Sequence, residues 1–460
     1  MTPLAFLIAF AMSAALFFLD RDRQRRTSLA LWIPVLWLLI VGSRPISAWL
    51  NVHRLGTLEA RFTEGSALDA AFYGALILAA LFVLNARWTQ VKGFLQSNLP
   101  FLLYFGYCTI SVAWSDDPMM AFKRCIKATG EFAIILVVLT DPNPRIALKR
   151  FFTRTGFVLI PLSLLLIYLA PSLGTNYDRE DRATTFIGVC TSKNELGLLC
   201  LVLGLASLWQ FLHAWQIRTT EYRHRRLVAF GAIVVMALGL IVKADSMTSL
   251  ACFGLAGAVM VGSTSNAVLR QRGALTALLS AAVGLALIST FISSAGVLLQ
   301  AFGRNSTLTG RTQIWAAVLA QPINPLIGTG FESFWSGNRM QSVWQMSQNG
   351  IEEAHNGYLE MYINLGWVGV ALLALLLVGA CRNATAMYRL QPHDGRLRVA
   401  FFVAAVTYSL TEAGFRMMNP IWIAFLVAAT AVPAQQAMEA ANRVFVRRRN
   451  LPRRQMRILQ

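Results

Sequence analysis

Charged residues are scarce in this chain. They make up 14% of its 460 residues, whereas a typical soluble domain carries about a quarter. Hydrophobic residues make up 56%, and the mean hydropathy is +0.53. The composition excludes an ordinary soluble domain and is typical of a polytopic membrane protein.

Cysteine is also scarce, and no two cysteines have a paired spacing. The sequence contains no C-x-x-C pair, and most cysteines lie in or beside apolar runs. These features support neither a disulfide framework nor a zinc site. The first apolar run lacks a preceding basic stretch and a convincing cleavage site, so we expect an uncleaved helix there. The six cysteines are Cys108, Cys125, Cys190, Cys200, Cys252 and Cys381.

Apolar runs long enough to cross a bilayer recur along the whole chain. About 20 residues of helix span the roughly 30 Å of hydrocarbon. We therefore predict an all-α, polytopic membrane domain that occupies residues 1–460 and has 12–13 transmembrane helices. The thirteen candidate spans are 2–19, 29–50, 68–86, 99–115, 120–140, 156–172, 194–215, 227–243, 248–265, 273–292, 358–380, 399–415 and 419–436.

The net charge of +19 is distributed in a way that argues against nucleic-acid binding. Of the 41 Lys and Arg residues, 27 lie on alternate connections between spans. By the positive-inside rule those connections are cytoplasmic. The C-terminus is then inside and the N-terminus outside. Residues 437–460 form a basic cytoplasmic tail that is a solvated topology anchor, with binding to anionic lipid headgroups as the alternative.

A long polar stretch, residues 293–357, separates two apolar runs. Structureless loops longer than about 15 residues are uncommon and usually functional. The alternation of sides puts this stretch on the outer face of the membrane. We expect a partly helical extracytoplasmic, periplasmic loop that carries the selective chemistry.

The remaining Lys and Arg residues lie on or near the outer face, whereas the positive-inside rule favours cations on the inner face. Guanidinium groups make bidentate hydrogen bonds with phosphate oxygens, so several of them in one cavity would bind a polyanion. For each one, a surface or snorkelling arginine is the alternative. These fourteen are Arg44, Arg54, Arg61, Lys123, Arg124, Lys127, Arg179, Arg182, Lys193, Lys243, Arg304, Arg311, Arg339 and Arg416.

Arg182 lies in the polar outer segment YDREDRATTFIGVCTSKNELG. The acidic residues beside it make a local salt bridge the competing explanation. Lys193 and Asn194 follow at the head of the predicted span 194–215. Backbone N–H groups at a helix N-terminus favour an anion. This segment is therefore a candidate for binding a negatively charged substrate.

Arg311 opens the amphipathic segment RTQIWAAVLA. Its apolar side chains recur at helical spacing, so we expect a helix that lies at the membrane surface. The following segment, QPINPLIGTGFESFW, contains two prolines and should turn at Gly328 and Gly330. The apolar face of the predicted helix comprises Ile314, Trp315, Val318 and Leu319.

His355 lies in EEAHNGYLE, at the outer mouth of the span that closes the long loop. Histidine is the side chain best suited to accept a proton near neutral pH. Glu352, Glu353 and Asn356 are placed to orient its ring. A structural histidine at a helix start is the alternative. No second histidine lies at ligand spacing, so we expect no metal.

Glu412 and Arg416 lie one helical turn apart in TEAGFRMMNP, near the outer end of the predicted span 399–415. An intrahelical ion pair explains that spacing, and a place in a substrate site is the second reading. The segment KADSMTS joins two spans and either lines a cavity or makes a tight turn.

These segments resemble the bacterial O-antigen ligase and polysaccharide polymerase superfamily. The resemblance rests on GRTQIW, PLIGTGFESFW and AHNGYLEMYINLGWVGVAL, in that order. The upstream stretches SVAWSDDP and RATTFIGVCTSKNELG are similar to its exopolysaccharide-polymerase branch. Together they cover residues 105–435.

The resemblance implies a GT-C-like membrane glycosyltransferase of the bacterial inner membrane, without cofactor or metal. Its donor would be an oligosaccharide on a polyprenyl diphosphate and its acceptor a second glycan. Arg182 and Arg311 would then hold the diphosphate, and His355 would be the general base. Lys193, Asn194, Asn356, Arg304, Glu412 and Arg416 would complete the substrate site.

Two alternatives remain at this stage. A ligase would transfer the glycan to lipid A core instead of to another lipid-linked repeat, and the upstream stretches favour the polymerase. A transporter of lipid-linked sugars would place polar groups near the midplane, often with repeat symmetry, whereas here they cluster at one face. A polymerase would work beside a flippase and a chain-length regulator.

Overall fold

The computed structural model describes residues 3–21, 26–50, 66–178, 183–217, 223–264, 309–347 and 350–433. Within these ranges the protein is overwhelmingly helical, which confirms the all-α prediction. The helices are α1 Pro3–Leu19, α2 Trp32–Val41, α3 Ile46–Trp49, α4 Ala67–Ala86, α5 Trp88–Ser97, α6 Leu99–Ser111, α7 Pro118–Leu139, α8 Pro144–Leu169, α9 Pro171–Gly174, α10 Lys193–Gln216, α11 Arg223–Lys243, α12 Met247–Gly262, α13 Thr309–Leu319, α14 Gly337–Met346, α15 Gly357–Leu390, α16 Pro392–Tyr408 and α17 Pro420–Ala429.

Five of these helices, α4, α8, α10, α11 and α15, are long and apolar enough to cross a membrane. Shorter apolar helices lie at 10–19, 29–41, 99–114, 247–262 and 420–429. The multi-pass prediction is therefore confirmed. The predicted span 273–292, the basic tail 437–460 and the beginning of the polar loop lie outside the described residues.

One large apolar core joins these helices, and all six cysteines are buried as free thiols. Short 3-10 turns at Leu29–Leu31 and Val112–Trp114 extend two of the helices. The sequence did not predict the antiparallel pair β1 Thr175–Asp178 and β2 Ala183–Phe186, in which Thr175 lies opposite Phe186. Each strand has only four residues, which is too short to show a clear alternation of hydrophobic and polar side chains.

Side-chain caps fix the starts of three helices near one end of the bundle. The Asp117 carboxylate accepts a hydrogen bond from the Met120 amide before α7. Asn356 accepts from the Tyr358 and Leu359 amides before α15, and Asn419 does the same for Ile421 before α17. Such caps satisfy backbone donors that the helix leaves unpaired.

Helix α15 is interrupted at Gly366, where φ is +63° and ψ is −164°. The loop that follows α13 lies against this break. Trp367 N donates to the Pro325 carbonyl at 2.9 Å, and Thr329 N donates to the Ile363 carbonyl at 3.1 Å. The break leaves backbone N–H and C=O groups of α15 without partners inside the helix. The loop forms hydrogen bonds with them. The predicted turn is confirmed, since Gly328 and Gly330 both have positive φ.

Three expectations about the segments around the loop need correction. Helix α16 ends at Tyr408 instead of continuing to 415, and residues 409–419 form an irregular turn. The helix predicted after Gly310 is present as α13, but its apolar face packs against Phe334 and Val343 in a small second core, where we had expected the membrane surface. Leu319, predicted to belong to that face, is exposed.

Candidate functional site

His355 occupies a strained position immediately before the Asn356 cap of α15. Its φ is +48°, a left-handed conformation that is uncommon for a non-glycine residue. The ring Nδ1 lies 3.0 Å from Glu412 Oε2 and 3.0 Å from Glu353 Oε1. The local hydrogen bonds thus hold the imidazole between two carboxylates, with its side chain 26% exposed.

Glu412 connects His355 to Arg311. Its Oε1 accepts a hydrogen bond from Arg311 Nη2 at 2.7 Å, while its Oε2 faces the imidazole. The carboxyl group is buried, whereas the Arg311 side chain is 24% exposed. Three segments distant in sequence, α13, the His355 turn and the irregular turn after α16, therefore meet in one charge network.

The carboxylates control the charge of the imidazole. Burial opposes the protonated form, but the hydrogen bonds that the ring donates to Glu353 and Glu412 outweigh burial and raise the pKa of His355 to about 10. Burial likewise opposes ionisation of Glu353, and the bond to His355 outweighs it, which lowers the pKa of Glu353. In this arrangement the ring carries a positive charge at neutral pH.

A second ion pair lies beside the first. Arg416 donates from Nε at 3.1 Å and from Nη2 at 2.9 Å to Glu332 Oε2, and from Nη1 to the Glu352 carbonyl at 2.9 Å. Its Nη1 is also 3.9 Å from Glu353 Oε2. Glu332 is buried and, like His355, has a positive φ, +51°. Arg124 donates to the Glu332 backbone carbonyl.

Glu360 holds the segment before His355 in place. Its carboxylate accepts hydrogen bonds from the Ala354 amide at 2.5 Å and from Trp335 Nε1 at 2.9 Å. Trp315 Nε1 in turn donates to the Ala354 carbonyl at 2.7 Å. These buried contacts pair both the backbone N–H and the backbone carbonyl of Ala354. They therefore hold the backbone next to His355 in place.

Glu353, His355 and Glu412 also form a cluster of metal-ligand type, with donor atoms within 4.8 Å of one another. The single histidine of this segment predicts no metal. The donor set alone would suit a divalent cation. However, Arg311 and Arg416 approach two of these carboxylates, and their charge favours ion pairing over a further cation.

The structure joins some of the predicted site residues and separates others. Arg311, His355 and Glu412 meet directly. Arg416 belongs to the neighbouring pair, so the expected intrahelical pair between Glu412 and Arg416 is wrong. Asn356 caps α15, as a structural residue would. Arg182 and Arg304 lie outside the described residues.

Lys193 and Asn194 begin α10, as predicted. Within the described ranges they form no hydrogen bond or ion pair with the His355 network. The N-terminus of α10 is instead capped by its own neighbours, because Ser192 Oγ accepts from the Glu195 amide at 3.2 Å. Glu195 reaches back to the Thr191 amide at 3.0 Å. The Ser192 cap thus occupies one of the backbone donors that an anion could otherwise bind.

Sequence reasoning missed Glu332, although it had proposed Glu353 as an orienting group for His355. Glu332 lies in the GTGFESFW turn, and no periodic pattern marks it as buried. The only available signal was an acidic residue between two turn glycines and two aromatic residues, in a segment already marked as functional.

Two comparisons with known proteins bear on this site. Residues 183–374 match the protein family described as O-Antigen ligase. The chain is also 24% identical over 383 residues to the exopolysaccharide production protein ExoQ of Rhizobium meliloti (strain 1021), covering 81% of this chain and 84% of that protein. The matched family region includes Arg311 and His355 but ends before Glu412. Both findings confirm the resemblance inferred from the motifs.

Proposed function

We propose that this multi-pass protein of the O-antigen ligase and polysaccharide polymerase superfamily polymerises polyprenyl-diphosphate-linked oligosaccharides. In this reaction the acceptor hydroxyl forms a bond to the anomeric carbon of the donor glycan. The bond from that carbon to the phosphate oxygen breaks, and the lipid diphosphate leaves as an anion. The product is a longer glycan on the acceptor lipid.

The observation that carries the proposal is the junction of Arg311, Glu412 and His355. It combines a group able to exchange a proton with a guanidinium suited to a diphosphate. The departing diphosphate gains negative charge in the transition state, so a fixed cation stabilises that state more than the bound substrate. A bundle end with these groups fits glycosyl transfer from a lipid anchor.

The proposed roles are divided among three residues. Arg311, together with Arg182 of the segment YDREDRATTFIGVCTSKNELG, binds the diphosphate. In its neutral form, His355 accepts the proton of the attacking hydroxyl through Nε2, since both carboxylates contact the ring at Nδ1. The raised pKa of His355 means that the ring must first lose its proton to act in this way. Glu412 is a positioning residue that orients both Arg311 and His355. The Glu332–Arg416 pair supports the adjacent wall.

The similarity to a protein named for exopolysaccharide production favours polymerisation over transfer to lipid A core. We further propose that residues 293–357 form one wall of a cleft open to the periplasm, within a single membrane domain. The substrate would then reach the site from the outer leaflet of the inner membrane after a flippase delivers it. A chain-length regulator would act on the same face.

The proposal is tested with purified protein in detergent and a lipid-linked oligosaccharide as the sole substrate. Wild-type protein should extend the glycan without a membrane gradient, which a transporter would not do. His355→Ala, Arg311→Ala and Arg182→Ala should each reduce extension by about 100-fold or more, the scale on which loss of a proton-transfer group or a charge-stabilising donor acts.

Arg382→Ala is the matched control, because this arginine is exposed on α15 and lies outside the site. It should retain wild-type extension. Each variant must elute as a monodisperse peak at the wild-type position. Wild-type chain lengths in any two of the three site variants would refute the assignment. Transfer to lipid A core, with no extension of lipid-linked repeats, would identify a ligase instead.

A further inference from the structure

A cavity of about 310 Å³ lies at the other end of the helix bundle from the His355 site. Residues near the ends of α1, α8, α10, α11 and α16 line it. The His355 site lies before the first residue of α15, whereas this cavity includes His393, just after its last residue. From Gly366 to Leu390 the helix rises on the order of 36 Å, more than the hydrocarbon core.

Basic residues dominate the lining of this cavity. Of the cations, Lys149 lies 2.5 Å from Asp20, and Arg226 lies 3.5 Å from the same oxygen. Arg145 pairs with Asp394 at 2.8 Å. Among the residues that the structure describes, the lining contains four cations against two carboxylates, which leaves a positive excess. The fourth cation, Arg150, donates to the Thr27 hydroxyl at 2.9 Å.

Three stacked aromatic rings form another part of the lining. His393 lies between Trp209, at a centroid distance of 4.7 Å, and His213, at 3.9 Å. Trp209 Nε1 donates to the His393 backbone carbonyl at 2.7 Å, which fixes the stack to the start of α16. The cavity therefore combines clustered cations with aromatic rings held in place by a hydrogen bond, so that part of its lining is preformed, as in most binding sites.

We propose that this cavity binds a phosphate group. Guanidinium and ammonium groups arranged around a pocket match the several oxygens of a phosphate. Basic pockets between transmembrane helices on the cytoplasmic side bind anionic lipid headgroups, and the positive-inside pattern assigns this end to the cytoplasm. The phosphate belongs either to such a headgroup or to a soluble phosphate compound. The site is independent of catalysis at His355.

The test compares wild type with Arg150→Gln/Arg226→Gln. This double variant removes two cations while Lys149 continues to pair with Asp20. The matched control is Arg382→Gln/Arg389→Gln, which removes two exposed cations from the last turns of α15, outside the cavity. Thermal unfolding is followed in neutral detergent during titration with inorganic phosphate, and separately in nanodiscs of phosphatidylcholine with and without phosphatidylglycerol.

Wild type and control should gain thermal stability with the ligand, and the double variant should bind about 10-fold to 100-fold more weakly, since each lost charged contact is worth about tenfold. A response to inorganic phosphate assigns a soluble ligand, and a response to phosphatidylglycerol alone assigns a lipid. No response to either, or the same affinity in all three proteins, would overturn the proposal.

Asp20→Asn gives a test of opposite sign that does not depend on the stability of the double variant. Removing this carboxylate raises the positive excess of the cavity, so a phosphate site should bind its ligand more tightly, by at least about threefold. If the charges serve only as structural ion pairs, Asp20→Asn would lower the unfolding temperature without any gain in affinity, which would contradict the proposal.

Discussion

At the scale of single residues, His355 poses the sharpest question, because its carboxylate partners hold it protonated near neutral pH. A general base must be neutral to accept a proton. With a pKa of about 10, the neutral fraction of the ring falls about tenfold for each pH unit below that value. The same imidazolium is, however, a good electrostatic partner for a diphosphate.

The pH dependence of extension separates these two roles. If His355 is the base, kcat/KM should increase between pH 6 and 9 and level off near pH 10. If the imidazolium binds the diphosphate, kcat/KM should be flat in that range and fall as the pH passes 10. The measurement is the initial rate of chain extension against pH with the purified protein.

Glu353→Gln provides the control for this profile. Glu353 supports the charge on the imidazole, and its loss should lower the pKa of His355 by roughly one unit. The bend in the profile should then shift to lower pH, whichever role is correct. A profile with the same bend in the variant would show that the pH dependence arises from another group.

Arg311 and His355 could be proposed from the sequence because polar and charged residues at the ends of membrane spans usually face a cavity or a binding site. The partners of these residues could not be predicted in the same way. Glu412 pairs with Arg311 across 101 positions and with His355 across 57. Its nearer neighbour Arg416 pairs with Glu332 instead. Only the fold decides such long-range choices.

At the scale of secondary structure, the break in α15 and the loop that crosses it depend on glycine. The backbone angles of Gly366 belong to a region that other residues essentially avoid. A Cβ added there would lie 2.3 Å from Leu326 C, and one added to Gly328 would lie 2.5 Å from Asn364 C. Helix α15 and the loop therefore approach each other most closely at two glycines, Gly366 in the helix and Gly328 in the loop.

Gly366→Ala should displace this loop and lower stability by about 2–4 kcal/mol, from backbone strain plus the clash. The loop leads directly to Glu332, so chain extension should fall as well. Both effects are measured on detergent-purified protein, by thermal unfolding and by the extension assay.

Gly379→Ala in the same helix is the matched control, because no atom lies within 4 Å of an added Cβ there. Alanine favours a helix more than glycine does, so this variant should be as stable as wild type or slightly more stable. If Gly366→Ala behaves like Gly379→Ala, the packing of the loop against the break does not depend on that glycine.

The long helices were predictable, because each needs only an apolar run and a polar boundary. The irregular turn after Tyr408 was predicted only in part. The spans 399–415 and 419–436 leave a break at 416–418, but the helix already ends at Tyr408. The short helix α14 escaped notice because its residues are mostly polar. Its buried contacts, Met340 and Val343, are made with the loop itself.

At the scale of the whole molecule, the two ends of the bundle differ in how their cations are paired with carboxylates. At the His355 end, Arg311 and Arg416 each have a buried carboxylate partner close to the irregular turns. At the other end, cations outnumber acids around an open cavity. Charge distribution alone predicted which end faces the cytoplasm, and this orientation underlies both proposals.

Cysteine labelling tests the orientation, because all six native thiols lie within the described residues and are buried. Gln345→Cys places a thiol on an exposed position of α14, near the His355 end, and Arg389→Cys places one near the other end of α15. A membrane-impermeant maleimide applied to spheroplasts should label Gln345→Cys at once. Arg389→Cys should react only after the membrane is opened.

The parent protein, in which every thiol is buried, sets the background of this labelling. The opposite order of labelling would invert the topology and move the His355 site to the cytoplasm. Because lipid-linked repeats are extended where the leaving diphosphate is held, that inversion would also contradict a polymerase acting on the outer face.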